Sequence, residues 1–212
     1  MGDFISMDLL FRWLHVLFGI TWIGLLYYFN FVQTEYFKEA EPAAKSDAVA
    51  KLAPRALWWF RWGAMFTFIT GIVLLAWVGA RANSYIMMGA LMGTFMFLNV
   101  WLIIWPNQKI VIGLKEGDKA AAAAKAGLAS RTNTLFSAPM LLGMFGSGHG
   151  AGAGLIPLMS SISNGFWAVL AIIVALQLNA IFGKQGPMTS VKGVIHCSIA
   201  LTFVFVALLQ FV

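Results

Sequence analysis

Long apolar runs separated by short polar stretches dominate the chain. Three are long enough to cross a bilayer, which takes roughly 20 residues at helical rise: Met7–Phe31, Trp58–Ala80 and Tyr85–Trp105. Two more, Phe166–Phe182 and Val191–Val212, are separated by the Gly, Pro and Lys punctuation of GKQGPMTSVKG. Between the two groups lies Leu135–Ser147, short for a span and containing Pro139, which is expected to interrupt it. The Ala-rich DKAAAAAKAGLAS before it favours helix strongly, so one long helix that begins in water and ends in lipid is expected there. The pattern predicts an all-α fold, an integral membrane bundle of about six transmembrane helices forming a single domain over residues 1–212.

Charge placement agrees with six spans. Lys38, Lys45, Lys51 and Arg55 fall in the first loop, Lys109, Lys115, Lys119, Lys125 and Arg131 in the third, and Lys184 and Lys192 in the fifth; Arg81 alone marks the second. The positive-inside rule then makes the odd loops cytoplasmic and turns both termini outward. Five spans would put the third and fifth loops on opposite sides. The residues are 60% hydrophobic and 10% charged with mean hydropathy +0.82, outside the soluble globular range, so the lipid bilayer is the expected surrounding. The net charge of +6 follows from these loops, and nucleic acid is not expected as a partner. The N-terminal MGDFISMDLL has neither a basic n-region nor a cleavage site, so the first helix is expected to stay in the mature protein. Gly89 and Gly93 in the third helix, and Gly63 and Gly71 in the second, are expected to admit close helix packing.

Polar groups inside apolar runs mark candidate chemistry, because their desolvation needs a partner. His15 sits about 12 Å below the outer surface on this topology. A neutral imidazole is a good axial ligand for haem iron. Gly19 lies one turn on, where a missing side chain would let a porphyrin approach, Phe11, Phe18 and Trp22 follow at helical spacing, and Arg12 is placed to pair with a propionate. The alternative is a histidine that bonds only to a neighbouring helix. Beyond Pro139 come Met140, Met144 and His149; the thioethers are competent second ligands, and His149 is the preferred one. Asn99 lies inside the third helix, which Pro106-Asn107-Gln108-Lys109 is expected to end. A zinc site would need four ligands, and the histidines are split between membrane halves. Cys197, the single cysteine, excludes an internal disulfide, and its neighbour His196 points about 100° away on a helix, so a nucleophile pair is not expected.

HVLFGITWIG in the first helix, WLIIWPNQK at the end of the third and SRTNTLFSAPML…SGH around the fourth resemble the N-terminal membrane domain of the bacterial membrane-bound urate oxidases, which join that domain to a C-terminal cytochrome c. The likeness runs from Arg12 to His149. The His-then-Trp-x-Gly pattern of the first helix is also similar to the small haem-dependent protoporphyrinogen oxidases. The resemblance implies His15 and His149 as the functional histidines, with Arg131 and Asn133 as supporting residues. Together with the ligand chemistry and the loop charges, it leads to the expectation of a haem b held by His15 and His149 in the bacterial inner membrane, with both termini periplasmic. No Cys-x-x-Cys-His is present, so a separate c-type cytochrome or a quinone is expected to exchange electrons with this chain. Two functions follow as expectations: a haem b redox protein, with oxidation of urate or a related heterocycle, or a cofactor-free accessory subunit of a larger membrane respiratory complex or homo-oligomer.

Overall fold

Backbone amides in a sequence this apolar need partners within the chain, and helices supply them. A computed structural model describes residues 6–79, 82–150 and 163–212, and among these every regular element is helical. Arg81 and residues 151–162 of the fourth loop lie outside the described residues. The elements are α1 Met7–Tyr27, α2 Thr34–Glu39, α3 Pro42–Asp47, α4 Ala53–Val78, α5 Ser84–Leu98, α6 Trp105–Val111, α7 Lys119–Phe145, α8 Asn164–Phe182 and α9 Val191–Phe211. π-Helical segments, Tyr28–Gln33, Ala48–Leu52 and Asn99–Ile104, join α1 to α2, α3 to α4 and α5 to α6 into runs of 33, 37 and 28 residues. With α8 and α9 these make five helices long and apolar enough to cross a membrane among the described residues.

Local chemistry sets the ends. Ser6, Asn83, Ser163 and Ser190 cap α1, α5, α8 and α9, each side-chain oxygen accepting a backbone N–H three residues on. The first run stops at Ala40, extended ahead of Pro42, which starts the second run in its first turn. Gly79, at φ +50°, ends α4 in a conformation that a side chain would strain. Both runs therefore extend beyond the apolar segments that hydropathy alone picks out.

Two expectations about proline are corrected. Pro106 does not end the third helix, which continues to Val111. The π-helical turn before it shifts the hydrogen-bond register, and proline falls in the first turn of α6, where its missing N–H is not required. Pro139 likewise stays inside α7, which is continuous over 27 residues as the Ala-rich run implied. The carbonyl of Leu135, which a residue with an N–H at 139 would satisfy, instead accepts a 2.8 Å hydrogen bond from Ser198 Oγ of α9. α7 is not apolar enough to count with the five, because residues 130–134 read Ser-Arg-Thr-Asn-Thr.

The chain divides into two compact units, Met1–Gly79 with Val100–Ala126, and Ala80–Asn99 with Gly127–Val212. In the first, α1 and α4 form an antiparallel pair, Phe11 meeting Trp77, Phe18 meeting Phe66 and Phe29 meeting Phe60 at ring separations of 5.0–5.5 Å. Gly63 makes this possible: a Cβ there would come 3.1 Å from the backbone nitrogen of Trp22. In the second unit α7 is the core helix, buried without interruption from Arg131 to Ser137. Gly89 of α5 crosses Gly143 of α7 at backbone contact, a Cβ on Gly89 standing 3.1 Å from Met144 N. Of the GxxxG pair, Gly89 carries this contact; a Cβ on Gly93 would meet only Met144 Cε, at 3.9 Å.

Candidate functional site

His15 lies on the α1 face turned to α4. Its Nδ1 is 2.9 Å from the Thr67 carbonyl and 3.0 Å from Thr70 Oγ1. A carbonyl can only accept, so Nδ1 carries the proton and donates to it. Thr70 Oγ1 spends its own hydrogen on carbonyls of the preceding turn and is left as a second acceptor. In the neutral ring the lone pair then resides on Nε2, which makes no hydrogen bond among the described residues. This is the orientation that a metal-binding imidazole usually has, one nitrogen anchored by a main-chain carbonyl and the other available. Gly71 admits the ring, since a Cβ there would stand 3.1 Å from His15 Cε1.

The side chains expected around His15 are mostly engaged elsewhere. Arg12 forms a two-pronged pair with Asp8 at 2.7 and 3.1 Å on the exposed surface. Phe11 and Phe18 pack on α4, and Trp22, 2% exposed, lies against Gly63 with its Nε1 lacking a hydrogen-bond partner among the described residues. Gly19 keeps the space expected of it: a Cβ there would meet only Thr67 Cγ2, at 3.9 Å. Residues 11, 15, 18 and 22 form the stripe by which α1 meets its neighbour, so helix packing takes up the aromatics.

The other expected residues belong to the second unit. Asn133 is fully buried and donates to the Met96 carbonyl at 2.9 Å, while its Oδ1 accepts from Asn99 Nδ2 at 2.8 Å. Asn99 and Gln177 exchange two hydrogen bonds, 2.7 and 3.0 Å, which ties the start of the π-helical segment to α8. Arg131 is buried two residues before Asn133. His149 is exposed, in the π-helical stretch Gly146–Gly150, with its ring stacked on Phe145 at 4.5 Å. His15 and His149 thus fall in different units. His196 is exposed and Cys197 is a free thiol.

Sequence reasoning missed Thr67, Thr70, Gln177 and Ser198. For Gln177 a signal existed, an amide within the apolar run Phe166–Phe182. Threonine and serine are common in helices that pack closely, so the others carried none.

Among the described residues, an all-helical fold with five helices of membrane-crossing length is the class that the structure defines. Residues 77–209 match the family described as Urate oxidase N-terminal, and the chain belongs to that family. The matched stretch holds WLIIWPNQK, SRTNTLFSAPML and the amide network, and stops short of α1. No curated protein and no solved structure matches the chain.

Proposed function

We propose that this chain is a membrane-embedded redox module of the urate oxidase N-terminal family that binds a b-type haem through His15. The observation that carries the reading is the imidazole geometry: Nδ1–H fixed on the Thr67 carbonyl, with the Nε2 lone pair unspent. A haem bound there would supply one-electron chemistry. The chain's own residues fix the ring: Thr67 and Thr70 set its tautomer and tilt, Gly71 clears its path, and Gly19 leaves room beside it. Electrons would pass to or from a separate c-type cytochrome or a quinone in the bacterial inner membrane, and family membership makes urate or a related heterocycle the first reductant to try.

A reduced-minus-oxidised spectrum of protein expressed with sufficient haem tests this. A b-type α-band is expected in the wild type and in His196→Ala, and its loss in His15→Ala; wild-type protein without the band would overturn the proposal. His149→Ala separates a second ligand from a bystander, a changed band marking the former.

One observation favours a second reading, a cofactor-free accessory subunit. The bonds to Thr67 and Thr70 already satisfy one His15 nitrogen, and Phe11, Phe18 and Trp22 serve helix contact. A featureless visible spectrum together with stable co-purification of larger subunits would select it.

A further inference from the structure

Five of the chain's nine tryptophans, Trp58, Trp59, Trp62, Trp101 and Trp105, gather in the first unit on the second and third long runs. Among them are two cations without acids. The Arg61 guanidinium lies over the Trp105 ring, 3.8 Å from its centroid, and Lys109 Nζ lies 5.8 Å from the same centroid. Both side chains are half-buried. The ion pairs among the described residues are Arg12–Asp8, Lys38–Glu35 and Lys51–Asp47, and neither Arg61 nor Lys109 takes part in one. Two positive charges held on one indole repel each other, and part-burial denies them full hydration. Trp105 offsets part of that cost through its ring face. An anion would offset the rest.

The surroundings say what kind of anion. Leu102, one turn before Trp105, is 68% exposed, and Trp58, one turn before Arg61, is exposed as well. One turn from Trp105, Trp101 holds a buried indole N–H with no acceptor among the described residues. A hydrophilic anion would leave the flanking apolar surface uncovered, whereas an amphiphile satisfies both. We propose that Arg61, Trp105 and Lys109 form a headgroup site for an acidic phospholipid, the guanidinium fork and the ammonium taking the phosphate while acyl chains run inward along Leu102 and Trp58 stands at headgroup level. Tryptophan and Lys/Arg side chains suit this depth, because each joins an apolar body to a polar end. The WPNQK motif acquires a role here, with Trp105 as platform and Lys109 one turn on as its second cation. The proposal rests on the bilayer part of the functional reading and is independent of haem.

The test uses the full chain, purified in neutral detergent and titrated with phosphatidylglycerol or with phosphatidylcholine of the same chain length, bound lipid being counted by native mass spectrometry. Phosphatidylglycerol is expected to bind roughly tenfold tighter or more, the effect of two cations near a membrane surface. Arg61→Gln with Lys109→Gln should erase that preference, while Lys115→Gln with Lys119→Gln, an equal change of charge in the polar loop and at the start of α7, should keep it. Circular dichroism reports folding, and each single variant should carry part of the loss, so the conclusion does not hang on the double variant. Equal binding of the two lipids, a preference that survives in the double variant, or competition by inorganic phosphate as effective as the lipid would each overturn the proposal. Failure of the bilayer reading itself would look different: the chain would leave membranes on a carbonate wash.

Discussion

At the residue scale, His15 is governed by one carbonyl, one hydroxyl and one missing side chain. Gly71→Ala places a methyl 3.1 Å from Cε1, and the imidazole must give way or α1 must shift. The expected cost is about 1–3 kcal/mol, read as a fall in the thermal midpoint in detergent, with loss of the visible band where haem is bound. Thr70→Val should cost less, about 1 kcal/mol, because the Thr67 carbonyl still accepts Nδ1–H. If the two variants proved equally mild, the ring would not be held as described. Asn99 makes the opposite case, a polar side chain with no solvent exposure whose amide is shared by two others. Asn99→Leu leaves Asn133 Oδ1 and the Gln177 amide unpaired, and about 2–4 kcal/mol of destabilisation by thermal or denaturant unfolding is expected. His15 and Asn99 both stand out in the sequence as polar residues in apolar runs. Their partners do not, since a carbonyl belongs to every residue and a threonine to many helices.

At the element scale, the prolines show how tertiary contact overrides a local rule. Pro139 removes an N–H from the middle of α7, and Ser198 of α9 supplies the hydrogen bond that the Leu135 carbonyl lacks. Ser198→Ala should cost about 1–3 kcal/mol in the wild type, since it leaves that carbonyl unpaired in the core. In a Pro139→Ala background the helix can close its own bond, so the same substitution should cost clearly less. A double-mutant cycle by thermal unfolding measures the coupling, and strict additivity would refute the account. The six long helices, and the continuity of α7 through its Ala-rich start, were legible from apolar run length and propensity. The reach of the third helix past Pro106 was not, because it depends on a π-helical turn whose register no single residue specifies.

At the scale of the whole molecule, the basic residues and the apolar runs make a claim about sidedness. α7 has 27 residues, about 40 Å at helical rise, enough to carry its ends to opposite faces of a bilayer. In a Cys197→Ser background, cysteine at Lys115 is expected to react with an impermeant maleimide only from the cytoplasmic side, and cysteine at His149 only from the periplasmic side. Labelling of both from one side would refute the orientation. Hydropathy and helix propensity are sums over many residues, so the sequence alone determined that this protein is all-helical and where its long apolar segments lie. Family membership over residues 77–209 is likewise a property of the sequence. Pairwise geometry is not such a sum. Only the tertiary structure decided that His15 donates to Thr67 and keeps Nε2 unspent, that Ser198 completes α7, and that Arg61 reaches the ring of Trp105. Each of these depends on a few ångströms between residues distant in the chain, a separation fixed by which helices pack and by where glycine lets them approach.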